Sequence, residues 1–314
     1  MNTHSPESPG APSLAPAGAS PLAARISAII PTLNEAANLP HVFARMPFEL
    51  LDEVIIVDGH STDETVAVAR LLHPDVRVVL QDGKGKGNAL ACGFAAARGD
   101  IIVMLDADGS TDPAEIPRYL APLFGGADFA KGSRFMPGGG SVDITPLRKI
   151  GNRCLNGVVN LLYRTRYTDL CYGYNAFWAD VLPHIRVTCD GFEVETLINV
   201  RAAKAGLRVS EVPSVEQMRI YGESKLHPIR DGTRVLRTIL REWFYRPQAD
   251  AHGWQPSFRE LPDVGSALAG AEIPSRELAP TNGEGNPHTF RDGVRVLSAI
   301  GREGIRKPRG AVAA

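Results

Sequence analysis

The sequence has little of what would tie it to a disulfide framework, a membrane span or nucleic acid. Four of its 314 residues are cysteine, Cys92, Cys154, Cys171 and Cys189. No two form a CxxC pair and none has a close histidine partner, so they read as reduced thiols filling the core, with no metal site among them. No apolar run approaches the roughly 20 residues of a transmembrane helix. A net charge of −1 argues against general nucleic-acid binding and leaves room only for a local basic patch. The first strand is not followed by GxGxxG, and the one glycine-rich turn is not followed by Gly-Lys-Ser/Thr. These absences exclude a dinucleotide fingerprint and a P-loop. Residues 1–24, rich in Pro, Ala, Ser and Gly, lack the basic start and apolar middle of a signal peptide and are expected to be a disordered leader.

What remains is an ordinary globular composition, 44% hydrophobic and 22% charged, in a chain long enough for one large α/β domain with extensions. The chain is organised around Ile101–Pro113. Ile101 to Leu105 is an apolar, β-branched-rich run that predicts a buried strand, and it ends on Asp106-Ala107-Asp108. Carboxylates just past a buried strand sit where open α/β sheets bind ligands, and two Asp one residue apart can reach a single hard divalent cation. An isolated Asp-X-Asp is more often a pair of solvated loop acids. The position after a buried strand reverses that preference.

Upstream, Arg25–Pro31 predicts a first strand, Asp52–Asp58 a second and Val76–Leu80 a third, with helices at Glu64–Leu72 and Ala89–Arg98. This strand–turn–helix alternation predicts a mostly parallel sheet covered by helices. Each strand end carries polar groups suited to a nucleotide. Glu35 and Asp58 can accept from a base or ribose, and the turn at 83–88 can bring backbone to a phosphate with Lys84 or Lys86 as counter-charge.

The ordered segments Pro31-Thr-Leu-Asn-Glu35, Val57-Asp-Gly-His-Ser-Thr-Asp63, Gly85-Lys-Gly-Asn-Ala-Leu90 and Asp106-Ala-Asp108 resemble family 2 glycosyltransferases. Lys131-Gly-Ser-Arg134, Tyr172-Gly-Tyr-Asn-Ala-Phe177, Phe192-Glu-Val-Glu195, Glu211-Val-Pro213 and Gly222-Glu-Ser-Lys-Leu226 continue the match across residues 25–245. The likeness is greatest to the branch containing dolichol-phosphate and polyprenyl-phosphate mannose and glucose synthases. It implies a GT-A fold, a Rossmann-like mostly parallel sheet flanked by helices, and a metal-dependent inverting transfer of a hexose; that no transmembrane domain is expected follows from the missing apolar run. The donor is a GDP- or UDP-sugar. Pro31, Leu33, Glu35 and Asp58 would line the nucleoside pocket, Lys86 would lie near the nucleotide, and Asp106 and Asp108 would hold Mg²⁺ or Mn²⁺. Ser110 stands where some relatives have Gln, so a third protein ligand is not assigned. Gly59 stands where many relatives have a second Asp.

The resemblance puts Arg134 at the reaction centre to stabilise phosphate charge, against the plainer reading of a surface ion pair. Gly138–Gly140 is expected to be a loop able to cover the donor. Asp190, Glu193 and Glu195 are candidates for a general base. Glu193 and Glu195 share a face only if the segment is a strand. The expected acceptor is a polyprenyl phosphate, which is already ionised. A hydroxyl acceptor served by one of those acids is the alternative, and a non-catalytic sugar-nucleotide-binding scaffold is a third reading. A pyrophosphorylase shares the architecture but not Pro-Thr-Leu-Asn-Glu in its first turn.

Pro146–Arg166 and Pro228–Phe244 predict basic amphipathic helices. In the second, Arg230, Arg234, Arg237 and Arg241 fall on one face, suited to an acceptor phosphate or lipid headgroups or simply solvated. The expected location is therefore cytoplasmic, with peripheral contact at the inner face of a membrane. Residues 227–242 recur at 288–303, with ten of sixteen positions identical, separated by a linker-like stretch at 246–287.

Overall fold

The computed structural model describes residues 24–223, 227–245 and 259–260. The leader, most of the linker-like stretch, the recurring segment at 288–303 and Ser224–Leu226 of the Gly222 motif lie outside the described residues. The elements run β1 (Ile26–Thr32), α1 (Leu39–Phe43), β2 (Glu53–Asp58), α2 (Thr65–Leu72), β3 (Arg77–Leu80), α3 (Gly85–Ala96), β4 (Ile101–Met104), α4 (Ile116–Phe124), β5 (Phe129–Ser133), β6 (Gly140–Ser141), α5 (Pro146–Tyr163), β7 (Asn175–Trp178), α6 (Val194–Lys204), β8 (Val209–Pro213), β9 (Val215–Glu216), α7 (Pro228–Phe244) and β10 (Arg259–Glu260).

The main sheet has the order β10-β3-β2-β1-β4-β7-β5-β8. β1 pairs in parallel with β2 on one side and β4 on the other. The strand order therefore reverses beside β1, and the crevice beyond the ends of β1 and β4 is the topological switch point of the sheet. β7 runs antiparallel between β4 and β5, the one reversal in an otherwise parallel core. β10 adds an antiparallel edge to β3, so the 246–287 stretch is not linker throughout.

The side-chain period of two explains the layering. Ile26, Ala28 and Ile30 of β1 face one side and pack with Leu39, Val42 and Phe43 of α1 and Ile116, Tyr119 and Leu120 of α4. Ile29 faces the other side, with Ile55, Val57, Ile102 and Met104, against Leu90 and Phe94 of α3 and Val194 and Ile198 of α6. A smaller core joins Val159, Tyr167, Leu170, Val200, Val235 and Ile239 and fastens α5 and α7 onto α6. The expected covering loop at Gly138–Gly140 is instead tied down. The Gly140 N–H donates to Ser214 O at 3.1 Å, the Val142 N–H to Glu216 O at 2.9 Å, and β6 pairs with β9. No helix among the described residues is long and apolar enough to cross a membrane.

Candidate active site

A cleft of about 710 Å³ opens at the switch point. One half is built from the ends of β1, β2 and β4 and the first turn of α3, the other from α5 and the start of α7. Pro31, Leu33 and Glu35 line the first half, as expected, together with Gly59 and Gln81. Asn34 takes a left-handed φ of 59°, a conformation Asn tolerates, and its Oδ1 accepts from the Thr62 N–H at 2.8 Å. That bond fastens the β1 turn to the β2 turn. Glu35 accepts from Asn38 Nδ2 and from Arg219 Nη1 at 3.3 Å. Burial nevertheless holds its carboxyl above the usual range, because desolvation outweighs those donors.

Asp58 is buried behind this wall and does not itself line the cleft. One carboxylate oxygen accepts from the Ser61 N–H at 3.0 Å, and Oδ1 is buried with no protein partner. Gln81 Oε1, on the cleft wall, is likewise without a partner.

Asp106 and Asp108 both face the cleft, and each meets a cation. Lys86 Nζ lies 2.6 Å from Asp106 Oδ1 and 2.7 Å from Glu195 Oε1. Burial alone would depress the Lys86 ammonium, but the two carboxylates outweigh it and hold it above its ordinary value. Glu195 is pushed upward, chiefly by burial and against the pull of Lys86. Asp108 accepts from Arg219 Nη2 at 2.8 Å, from Ser110 Oγ at 2.6 Å and from the Ser110 N–H at 2.9 Å. Ser110 is thus turned toward Asp108 as a donor.

The glycines of Gly85-Lys86-Gly87 have a steric reason. A Cβ at Gly87 would stand 2.1 Å from Cys189 O, and the Gly87 N–H donates to Asp190 O at 2.9 Å. The helix start can therefore abut that backbone and aim Lys86 inward, at the positive end of the α3 dipole. Gly173 matters similarly, since a Cβ there would fall 2.7 Å from Lys86 Nζ and 3.0 Å from Asp106 Oδ2.

Arg134 corrects an expectation. It stands in the cleft wall, but it is neither a free phosphate-binding charge nor a surface pair. Its Nε and Nη2 bond Asp169 at 2.7 and 3.0 Å, and its Nη1 bonds both Glu216 oxygens at 3.1 Å. Its Nη2 also reaches Cys171 O, and the guanidinium lies 4.9 Å over the Tyr172 ring. Two carboxylates already match its one charge. The candidate bases separate for a different reason. Residues 193–195 begin a helix, so Glu193 and Glu195 diverge, and only Glu195 lines the cleft. Glu193 Oε2 is buried without a partner, and Asp190 is exposed outside the cleft.

A divalent metal was expected on Asp106 and Asp108. Among the described residues no third His, Cys, Asp or Glu joins them. Two hard carboxylate donors on one cleft fit Mg²⁺ or Mn²⁺ in the form that leaves the other positions to water and diphosphate oxygens.

The other half of the cleft combines Arg148, Arg230 and Arg234 with Ile144, Leu147 and Ile229. The four-arginine stripe of α7 is therefore divided. Arg230 and Arg234 reach the cleft, while Arg237 and Arg241 line an outward groove with Leu236, Leu240 and Phe244.

Residues 27–191 match the family profile described as Glycosyl transferase family 2. The chain belongs to glycosyltransferase family 2. This glycosyltransferase is 32% identical to glycosyltransferase AglJ of Haloferax volcanii, over 68% of this chain and 70% of that one. It is 34% identical to the polyprenol monophosphomannose synthase of Mycolicibacterium smegmatis, over 72% and 89%. To the dolichol-phosphate mannosyltransferase of Pyrococcus furiosus it is 33% identical, over 64% and 59%. Among solved structures, glucosyl-3-phosphoglycerate synthase of Mycobacterium tuberculosis, in a complex with Mn²⁺, UDP and glucosyl-3-phosphoglycerate, superposes with a TM-score of 0.58 at 22% identity, over 81% of this chain and 94% of that one. That likeness establishes the shared GT-A fold.

Proposed function

We propose that this glycosyltransferase moves a hexose, with inversion, from a UDP- or GDP-sugar to a polyprenyl phosphate, with Mg²⁺ or Mn²⁺ on Asp106 and Asp108. The observation that carries the reading is the division of a single cleft. One half pairs carboxylates with the cations Lys86 and Arg219, and the other is cationic and apolar. In the first half Pro31, Leu33, Glu35 and Gln81 line the nucleoside pocket, and Asp58, buried behind them, holds the β2 turn by accepting from the Ser61 N–H. The metal, when bound, supplies neutralisation of the departing diphosphate. Lys86 and Arg219, which now neutralise the two aspartates, are within reach of the same diphosphate.

In the second half Arg148, Arg230 and Arg234 suit the acceptor phosphate, and Ile144, Leu147 and Ile229 suit an isoprenoid chain. A phosphate oxygen, ionised near neutral pH, attacks the anomeric carbon from the face opposite the diphosphate, the sugar–diphosphate bond breaks, and no base is needed. The likeness to the mycobacterial polyprenol monophosphomannose synthase and to the Pyrococcus dolichol-phosphate mannosyltransferase supports this acceptor class. A peripheral contact with the cytoplasmic face of a membrane goes with it. Leu147, Ile150, Cys154 and Leu161 of α5 form an exposed stripe at helical spacing. Ile229, Leu236, Leu240 and Trp243 of α7 form another, flanked by its arginines. The reading includes no nucleic-acid partner.

One observation favours a second reading, transfer to a hydroxyl. Glu195 is a cleft-lining acid with its carboxyl raised by burial, as a general base requires. Manganese binding tests the common ground. Paramagnetic titration of Mn²⁺ with UDP or GDP present is expected to show one site in the wild type and at least tenfold weaker binding in Asp106→Asn and Asp108→Asn. Unchanged Mn²⁺ affinity in both variants would refute the metal assignment.

A further inference from the structure

The duplicated segment acquires meaning when its matches are placed on α7. Five side chains of α7 are buried, Asp231, Val235, Thr238, Ile239 and Glu242. Their counterparts in 288–303 are Asp292, Val296, Ala299, Ile300 and Glu303, four of them identical and the fifth a smaller residue. Each buried residue has a defined task. Val235 and Ile239 enter the core with Val159 of α5 and Val200 of α6. Asp231 accepts from the His227 N–H at 2.7 Å and closes the helix start. Glu242, 1% exposed, accepts from Arg201 Nη2 at 2.8 Å and Lys204 Nζ at 3.2 Å.

The cleft-lining residues of α7 match nearly as well, with His227, Arg230 and Arg234 recurring as His288, Arg291 and Arg295. The outward groove does not. Leu236 and Arg241 recur there as Leu297 and Arg302, but Thr233, Arg237, Leu240 and Phe244 correspond to Val294, Ser298, Gly301 and Ile305. The copy thus keeps the chemistry that seats α7 on α5 and α6 and most of that which forms the cleft wall, while the outward groove loses one cation and one large apolar side chain, Arg237 and Leu240, to Ser298 and Gly301.

We propose that residues 288–303 are a second occupant of the α7 site on α5 and α6, drawn from the same chain and competing with α7 for Val159, Val200, Arg201 and Lys204. Forty-five residues, 243–287, separate the two segments. The 27 of them that follow β10 would alone span on the order of 90 Å when extended, several times the length of α7, so reach does not limit the exchange. Gly301 and Gly304 lower the helix propensity of the copy and make α7 the resident form. Exchange preserves most of the cleft wall and weakens the outward groove, where Arg237 and Leu240 give way to Ser298 and Gly301. Its consequence for bilayer binding rests on the membrane reading above, whereas the exchange itself does not.

The ion pair at the end of α7 supplies the test in the full-length protein. Zero-length carbodiimide coupling joins a lysine to a carboxylate in contact, and mass spectrometry of the digest identifies the partners. The expected products are Lys204–Glu242, major, and Lys204–Glu303, minor. Ile300→Asp should remove the second at least fivefold and leave the first, and Ile239→Asp should raise the second at least fivefold. Hydrogen exchange gives an independent readout, with the amides of 229–244 expected to exchange several-fold more slowly in Ile300→Asp. Absence of the Lys204–Glu303 product in both wild type and Ile239→Asp, or α7 exchange indifferent to Ile300→Asp, would overturn the proposal. Coupling only between isotopically light and heavy chains in a mixture would overturn its same-chain form. Vesicle binding unchanged by Ile300→Asp alongside the expected crosslinks would overturn only the membrane consequence.

Discussion

Replacing Lys86 with Met tests the cation that links the two halves of the chemistry. Its ammonium sits 2.6 Å from Asp106 and 2.7 Å from Glu195, and its side chain is 13% exposed. Met fills much of the same volume, so the loss is chiefly electrostatic. Removing one partner of a buried pair costs about 3–5 kcal/mol, because the remaining charge stays desolvated. Here the cost is capped, since burial already raises the Glu195 carboxyl and it can take up a proton instead of staying charged and unpaired. The expected loss is therefore at the lower end of that range, about 3 kcal/mol at neutral pH. The sign of its pH dependence follows. A carboxyl whose folded pKa lies above the unfolded value contributes stability below the unfolded pKa and loses it as pH rises through the folded one. Urea unfolding should find Lys86→Met closest to wild type below about pH 4, the unfolded carboxyl value, and less stable as pH rises above it. Adding Glu195→Gln should restore at least about 1.5 kcal/mol, the coupling expected for residues in direct contact. Turnover stays low in the double variant. A loss below about 0.5 kcal/mol, or a double variant no more stable than Lys86→Met, would refute the paired arrangement.

Asp169→Asn should cost about 1.5–3 kcal/mol in urea unfolding, because Arg134 keeps its pair with Glu216 but its Nε and Nη2 lose their charged acceptor. In the wild type Arg134 outweighs burial and holds Asp169 below the usual carboxyl range, so its contribution is present above about pH 4 and is lost as pH falls toward the lower folded value; an acid titration of stability checks this. Gly173→Ala should reduce turnover at least tenfold with little change in melting temperature, because its Cβ intrudes on Lys86 and Asp106. Iodoacetamide at pH 8 should modify exposed Cys154 first and spare Cys92 and Cys171, whose thiols burial pushes up to about 11 and about 12. Peptide mapping reads the order.

The parallel half of the sheet was legible because β1, β2 and β4 are buried on both faces and read as unbroken apolar runs ending in polar turns. α7 was legible to its bounds, Pro228–Phe244, because proline and a regular arginine spacing mark its face. What escaped was long-range pairing. Arg134 carries no local sign that Asp169 and Glu216 will saturate it, since those partners lie 35 and 82 residues away. Arg219 lies just ahead of the Gly222 motif and outside every quoted segment, yet it bridges Asp108 and Glu35. Glu193 and Glu195 could be told apart only once the helix start was fixed. The glycine loop at 138–140 resembled a free flap because β9, which anchors it, is only two residues long.

The central claim is metal-dependent transfer of a hexose to a lipid phosphate. Radiolabelled UDP- and GDP-sugars should be offered with short-chain polyprenyl phosphate and Mn²⁺ or Mg²⁺, with an EDTA control. Label entering the lipid phase only with metal, and abolished in Asp106→Asn, is the predicted result. Donor hydrolysis without lipid label, or lipid label indifferent to EDTA, would contradict the account.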